Sequence, residues 1–174
     1  MIHKESVAVR GISLGMALVL LILPGCVGYR LGSALPPDLK SIYVRLFINK
    51  CNEPLLEIDT TNATIAEFQT DGSLRVVPAD EADLILETTL TSLKLTPLRY
   101  DQSDMTKPNQ YRLTLHASFV LKRAKTREII NETSVIGEST FDFLGDLNSA
   151  KRTAIPTASE DLAKRIVEKV VETW

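Results

Sequence analysis

The side chains that could do chemistry are few. The chain holds two histidines, His3 and His116, and two cysteines, Cys26 and Cys51. A zinc or other transition-metal centre needs three or four such ligands converging, and these four residues stand singly, with no CxxC or HxxxH pair. No H-E-x-x-H, P-loop or G-x-G-x-x-G segment is present, and the one G-x-S-x-G match, Gly11-Ile12-Ser13-Leu14-Gly15, falls inside the apolar N-terminal run and not at a strand-to-helix turn, so the patterns for nucleophilic, metal-assisted and phosphate-cradling chemistry are missing. Asp80, Glu81 and Asp83 lie close together, but without a glycine turn and a distal bidentate glutamate they do not make a calcium loop. They are expected to be solvated turn residues that punctuate a strand. His116 is expected to be solvated on a polar strand face. The sequons at Asn62 and Asn131 matter only in a glycosylating host. The residues offer no catalytic set, no metal site and no cofactor, and the chain reads as a non-enzyme.

What remains is local positive charge. Lys122, Arg123, Lys125 and Arg127 crowd one hairpin end, Arg99, Lys107 and Arg112 flank the loop before it, and Lys151-Arg152 precede the last helix. Such groups can hold phosphate or phospholipid headgroups through charge-assisted hydrogen bonds. They can equally be solvated charges that blunt a strand edge. The chain as a whole carries 20 basic and 22 acidic side chains, a formal net charge of −2. That balance gives no field for nucleic acid, whose binders depend on a basic excess.

The elements must position these groups, beginning with the N-terminus. Lys4 and Arg10 precede an apolar run over residues 11–23 interrupted only by Ser13, the form of a secretory signal too short to span a bilayer. Leu21-Ile22-Leu23-Pro24-Gly25-Cys26 resembles the bacterial lipobox, in which the cysteine is acylated and becomes the new N-terminus; Pro24 departs from the usual small residue. The domain reading is a signal peptide over 1–25, a lipidated N-terminus and short tether over 26–40, and one α/β domain over 41–174. Loss of residues 1–25 removes Lys4, Arg10 and Glu5, leaving net −3. With Cys26 acylated, Cys51 has no intramolecular partner. It is expected to be a small, partly buried thiol, with an intermolecular disulfide as the alternative.

Pro36-Pro37 cannot lie within a helix or central strand, so a strand is expected over residues 41–48, with Arg45 its only charge. Asn52-Glu53-Pro54 reads as a helix start, and Leu55, Ile58, Ile65 and Phe68 give an apolar face that Asp71-Gly72 closes. A short strand over 74–77 ends at Pro78. A longer one follows over about 83–95, with a bulge near Thr91 to reconcile the parity of Leu84, Leu86 and Leu90 with that of Leu93 and Leu95. Residues 97–109 read as a long polar loop. Residues 111–122 alternate cleanly, with Arg112, Thr114, His116, Ser118 and Lys122 opposite Tyr111, Leu113, Leu115, Ala117, Phe119 and Leu121, and Val120 the one apolar exception on the polar side. A strand over 127–140 returns antiparallel, with Gly137 marking a bulge or close approach. Thr157-Ala158-Ser159-Glu160 matches a capping box ahead of the most regular helix, which starts either there or near Asn148 with a kink at Pro156. The expected fold is α+β, a single two-layer sandwich with two helices on one face of a roughly four-stranded, mostly antiparallel or mixed sheet.

Taken in order, the segments resemble the LptE family of lipopolysaccharide-assembly outer-membrane lipoproteins. The carrying residues are the lipobox with Gly28-Tyr29-Arg30-Leu31, Leu35-Pro36, the turn Asn49 to Leu55, and Glu81-Ala82-Asp83-Leu84-Ile85-Leu86. Tyr111-Arg112-Leu113 and the run from Ala158 to Val167 continue the series. The Cys51 in the turn, Pro24 and Pro156 depart from the pattern. The resemblance implies a small sandwich lipid-anchored on the periplasmic side of the outer membrane through Cys26. It also implies a place inside an LptD-like β-barrel as plug and assembly partner, in the passage of lipopolysaccharide to the surface. On that footing Arg112, Thr114, His116 and Lys122 are candidates for barrel contact, and Arg99, Lys107, Lys122, Arg123, Lys125, Arg127 and Lys151 for lipopolysaccharide phosphates. The rival expectation is a lipoprotein of the same fold that binds another envelope component.

Overall fold

The computed structural model describes residues 36, 38–102, 106–143 and 145–174. The signal peptide, the lipobox with Cys26, Gly28-Tyr29-Arg30-Leu31 and most of the tether lie outside the described residues. The chain divides into two units, Met1–Gly32 and Ser33–Trp174, and every described residue belongs to the second.

That unit runs β1 (Ser41–Val44), β2 (Ile48–Asn49), α1 (Leu56–Asp71), β3 (Arg75–Val76), β4 (Leu84–Tyr100), β5 (Pro108–Arg123), β6 (Ile129–Asp142) and α2 (Leu147–Val171). The sheet is mixed, in the order β3-β1-β4-β5-β6, with β2 also paired to β4. β1 runs parallel to both β3 and β4, and β2 parallel to β4, while β4, β5 and β6 form an antiparallel meander. The two-layer α+β expectation holds with six strands rather than four. The short strand expected over 74–77 is β3, and the further one, β2, arises because the strand expected over 41–48 is split in two.

The expected strand over 41–48 is interrupted. Between Val44 and Ile48 the chain advances four residues while β4 advances three, from Leu86 to Thr89. Phe47 leaves the ladder, is buried, and gives its backbone N–H to Thr61 Oγ1 at 3.1 Å. Arg45 stays at the surface, bonded to Glu87.

The turn from Asn49 to Leu55 is organised by one carboxamide. Asn49 Oδ1 accepts from Cys51 N–H at 2.8 Å, and Nδ2 donates to the Glu53 carbonyl at 2.8 Å and Glu57 Oε2 at 2.7 Å. Helix α1 then begins later than Asn52-Glu53-Pro54 suggests. Leu55 precedes it in the left-handed region at φ 66° with no side-chain cap. The expected apolar face is also displaced. Leu55 is 62% and Ile58 44% exposed, whereas Leu56, Thr60, Thr61, Thr64 and Phe68 are buried. The threonines reach the interior because each hydroxyl is satisfied within the helix. Thr60, Thr61 and Thr64 donate to the carbonyls of Leu56, Glu57 and Thr60 at 2.7, 2.6 and 2.8 Å. A buried hydroxyl without such a partner is costly. Gly72, at φ 72°, closes the helix as expected, its N–H on the Phe68 carbonyl.

Asp83 is not a solvated turn residue. Its Oδ2 accepts from Ser41 Oγ at 2.7 Å and from the N–H groups of Lys40 and Ser41 at 3.1 Å each, and its own N–H donates back to Ser41 Oγ. The Ser41 hydroxyl, followed by the Lys40 N–H, holds the carboxyl below the usual carboxylate range. This lock sets the start of β1 beside the start of β4. Thr91 is the extra residue of a bulge between Leu90 and Ser92, as the parity of the leucines requires. It returns Leu93 and Leu95 to the core face, where both pack against the core. β4 and β5 then run on to Tyr100 and Pro108, so the expected loop over 97–109 shrinks. Pro97 is accommodated because β4 has a neighbour on only one side beyond Leu90, and a missing donor on the free side costs nothing.

Gly137 is where α2 crosses β6. A Cβ there would stand 2.5 Å from the Ala158 carbonyl oxygen and 2.6 Å from Leu162 N, so only glycine admits the helix. Helix α2 starts at Leu147, capped by Asp146, whose carboxylate accepts from Asn148 and Ser149 N–H. Thr157-Glu160 is therefore mid-helix and not a capping box, and Pro156 lies inside the helix on its exposed side. Asp161 reaches from α2 to the outer edge of β6 and accepts the Glu138 N–H at 2.8 Å.

Candidate interaction face

Both helices cover one side of the sheet and leave the other bare. Three of the predicted contact residues, Arg112, Thr114 and His116, lie on that bare side of β5, two residues apart. Register places Thr114 between Lys94 and Glu138, and His116 between Ser92 and Ile136. Thr114 Oγ1 donates to Glu138 Oε1 at 3.3 Å, and Arg112 Nε lies 3.9 Å from Glu138 Oε2. Hydroxyls extend the surface through the facing pair Ser118 and Ser134 and through Thr89 and Thr140. Lower down, Glu87 bridges Lys122 Nζ at 2.6 Å and Arg45 Nη1 at 3.1 Å. The Lys122 hydrogen bond, opposed by some burial and helped by Arg45, holds the Glu87 carboxyl below its ordinary range. The result is a broad polar face of hydroxyls and alternating charges, with Ile136 as an exposed apolar point at 42%.

Sequence reasoning found the basic half of this face and missed the acidic half. Glu87 and Glu138 meet Lys122 and Arg112 only through strand register, which is set by the Thr91 bulge and the turn after Arg123. Val135 and Ile136 are adjacent on β6 and face opposite ways. Val135 is buried and Ile136 is on the bare side.

The predicted phosphate-binding residues do not converge. Arg123 is paired with Asp38 at 3.1 Å and Glu128 at 3.6 Å. Lys122 is committed to Glu87, and Lys151 to Glu53 at 2.5 Å in a mostly buried pair. Lys125 and Arg127 are exposed at the β5–β6 turn, where Arg127 takes φ 60°. Arg99 and Lys107 are exposed at the other end of the β4–β5 hairpin. Fourteen residues of β4 separate Ile85, opposite Lys122, from Arg99, so the two groups stand roughly 45 Å apart at about 3.3 Å per residue. They cannot form one site. Cys51 is half-buried and free, and burial pushes its thiol up.

The family model for LptE, described as lipopolysaccharide-assembly, matches residues 39–170. Comparison with curated proteins finds no sequence match. Solved structures share the fold at low identity. Protein XCC0632 from Xanthomonas campestris superposes with a TM-score of 0.56 at 12% identity, over 80% of this chain and 88% of that one. The hypothetical protein CT253 from Chlamydia trachomatis gives 0.56 at 8%, over 78% and 97%. A minor lipoprotein from Acinetobacter baumannii gives 0.50 at 14%, over 76% and 93%. The family match spans the whole described sandwich from Leu39 nearly to the end of α2, and the chain belongs to the LptE family.

Proposed function

We propose that this protein is a non-enzymatic outer-membrane lipoprotein that fills and helps assemble an LptD-like β-barrel during lipopolysaccharide transport. On this reading residues 1–25 are removed, acyl chains on Cys26 hold the chain on the periplasmic side, and the domain begins within a short tether of the membrane. The observation that carries it is the bare sheet face on a chain of this family. The lumen of an outer-membrane barrel is polar. A face of hydroxyls with charges paired at Arg112–Glu138 and Lys122–Glu87–Arg45 suits such a wall, because those pairs stay satisfied when water is displaced and the hydroxyls can donate or accept across the contact. Arg112, Thr114 and His116 sit at the centre of that face. For lipopolysaccharide phosphates the exposed Arg99 at the hairpin tip, or Lys125 and Arg127 at the β5–β6 turn, are better placed than Lys122, Arg123 and Lys151, whose charges already have partners.

The test is gentle extraction of the tagged, full-length chain. Co-purification of a large β-barrel in near-equal amount is expected. Thr114→Trp together with Ser118→Trp, placed on the bare face, should lower barrel recovery at least tenfold with the thermal transition retained. A clean monomer from the unaltered protein would refute the plug and favour a lipoprotein serving another envelope component.

A further inference from the structure

On the side of the molecule away from the bare sheet, α1 and α2 lie side by side and leave a groove of about 470 Å3 between their outer surfaces. Its apolar lining is small, formed by Ala63 and the exposed Ala66 of α1 and the exposed Pro156 of α2. Its rim carries three carboxylates, Asp59, Glu67 and Glu160, against one ammonium, Lys164. None of the four makes an ion pair with another described residue. That separates them from Glu87 and Glu138 of the sheet face, which are neutralised in place. A second observation points to a ligand. Ser159 lines the groove, is 1% exposed, and its Oγ has no hydrogen-bond partner. The groove is thus rich in acceptors over a small apolar lining. That is the complement of a lysine or arginine side chain, whose methylene stem lies on apolar surface while its head seeks carboxylate.

We propose that this groove docks a basic segment of the partner protein, with lysine or arginine side chains laid across Ala63 and Ala66 and paired to Glu67 and Glu160. From Asp59 to Thr70 the α1 wall runs eleven residues, about 16 Å at 1.5 Å per residue, and the groove is open along it. That length fits a stretch of chain carrying more than one side chain, and exceeds what a single small cation fills. The inference rests on the plug reading, since the occupant is taken to be the same barrel. It also extends that reading: the groove and the bare sheet face lie on opposite surfaces, and only a partner that surrounds the domain reaches both.

The experiment has two arms, both on the full-length lipidated chain. In the first, the chain in detergent is titrated with a peptide of alternating lysine and alanine, followed by amide shifts. Shifts at Ala63, Ala66 and Ser159 that weaken with salt and fall at least tenfold in affinity in E67K/E160K are expected. E67Q/E160Q, which keeps shape and removes charge, should lose affinity to an intermediate degree. In the second, a photo-cross-linking residue replaces Ala66 in cells, and the joined peptide is sequenced. A barrel peptide bearing lysine or arginine is expected. Absence of groove shifts, or an unchanged affinity in E67K/E160K, overturns the proposed chemistry. A co-purifying barrel with no cross-link at position 66 overturns the docking while leaving the plug standing. Groove shifts with no co-purifying barrel would sink the plug as the partner and leave the groove's preference for cationic peptide intact.

Discussion

The two helices reach the same layer by opposite routes. α2 is specified along its own length: an aspartate cap, then Ile155, Ala158, Leu162, Ala163, Ile166, Val167 and Val170 buried on one face, with glycine opposite them on β6 to let the helix close in. α1 has no side-chain cap, starts from a strained leucine, turns two aliphatic side chains to solvent and buries three threonines. Its intrinsic propensity is poor, because β-branched residues lose rotamer freedom in a helix. It is held by what it touches: Phe68 at its C-terminal end, the Thr61 contact to Phe47, and the turn that Asn49 ties together. A helix fixed by its surroundings is expected to be lost with them, and a helix fixed by its sequence to be lost last.

The sharpest way to break this contrast is Phe68→Ala. Removing a fully buried phenylalanine costs about 3–5 kcal/mol. Hydrogen exchange should show α1 amides opening well before those of α2. Equal protection of both helices in this variant would remove the distinction. Thr61→Val comes next, since it keeps the volume but strips the acceptor from the Phe47 N–H, at about 1–3 kcal/mol by denaturant titration. A neutral result would mean that the backbone between β1 and β2 finds another partner.

The smallest effect belongs to α2. The Ser149 hydrogen bonds, then the Asn148 N–H, hold the Asp146 carboxyl below its ordinary range. A depressed carboxyl stabilises the fold above the unfolded value near pH 4, and that contribution disappears as pH falls through the lower folded value. Asp146→Asn keeps the cap geometry without the charge. It should lower stability slightly at neutral pH and flatten this part of the acid loss, with exchange changes confined to the first turn of α2.

The same contrast explains what could be foreseen. The alternation of β5, the Thr91 bulge, the Gly137 contact and the α2 core face follow from strand or helix period, and period is local. The α1 face could not be read that way, because threonine is apolar enough for a core only once each hydroxyl has found its own helix's carbonyl. Thr157-Glu160 carried the letters of a cap, yet a cap needs free N–H groups, and Asp146 had already started the helix. The bare face was half legible. Its cations stand in the sequence of β5, whereas the glutamates that neutralise them lie on neighbouring strands and arrive only with register. The helix groove left no sequence signal, since it depends on how two helices sit side by side.

The carboxylate that Asp161 lends to the rim of β6 also limits how the molecule can grow. A fourteen-residue outer strand would otherwise be a template for another copy, and at Glu138 its outward donor is already taken by the Asp161 carboxylate, itself paired with Arg165, where an incoming carbonyl must arrive. The sheet therefore ends where its own helix ends it. An incoming strand at this point of β6 would find the donor taken and no ladder bond to make, which weighs against pairing along that edge.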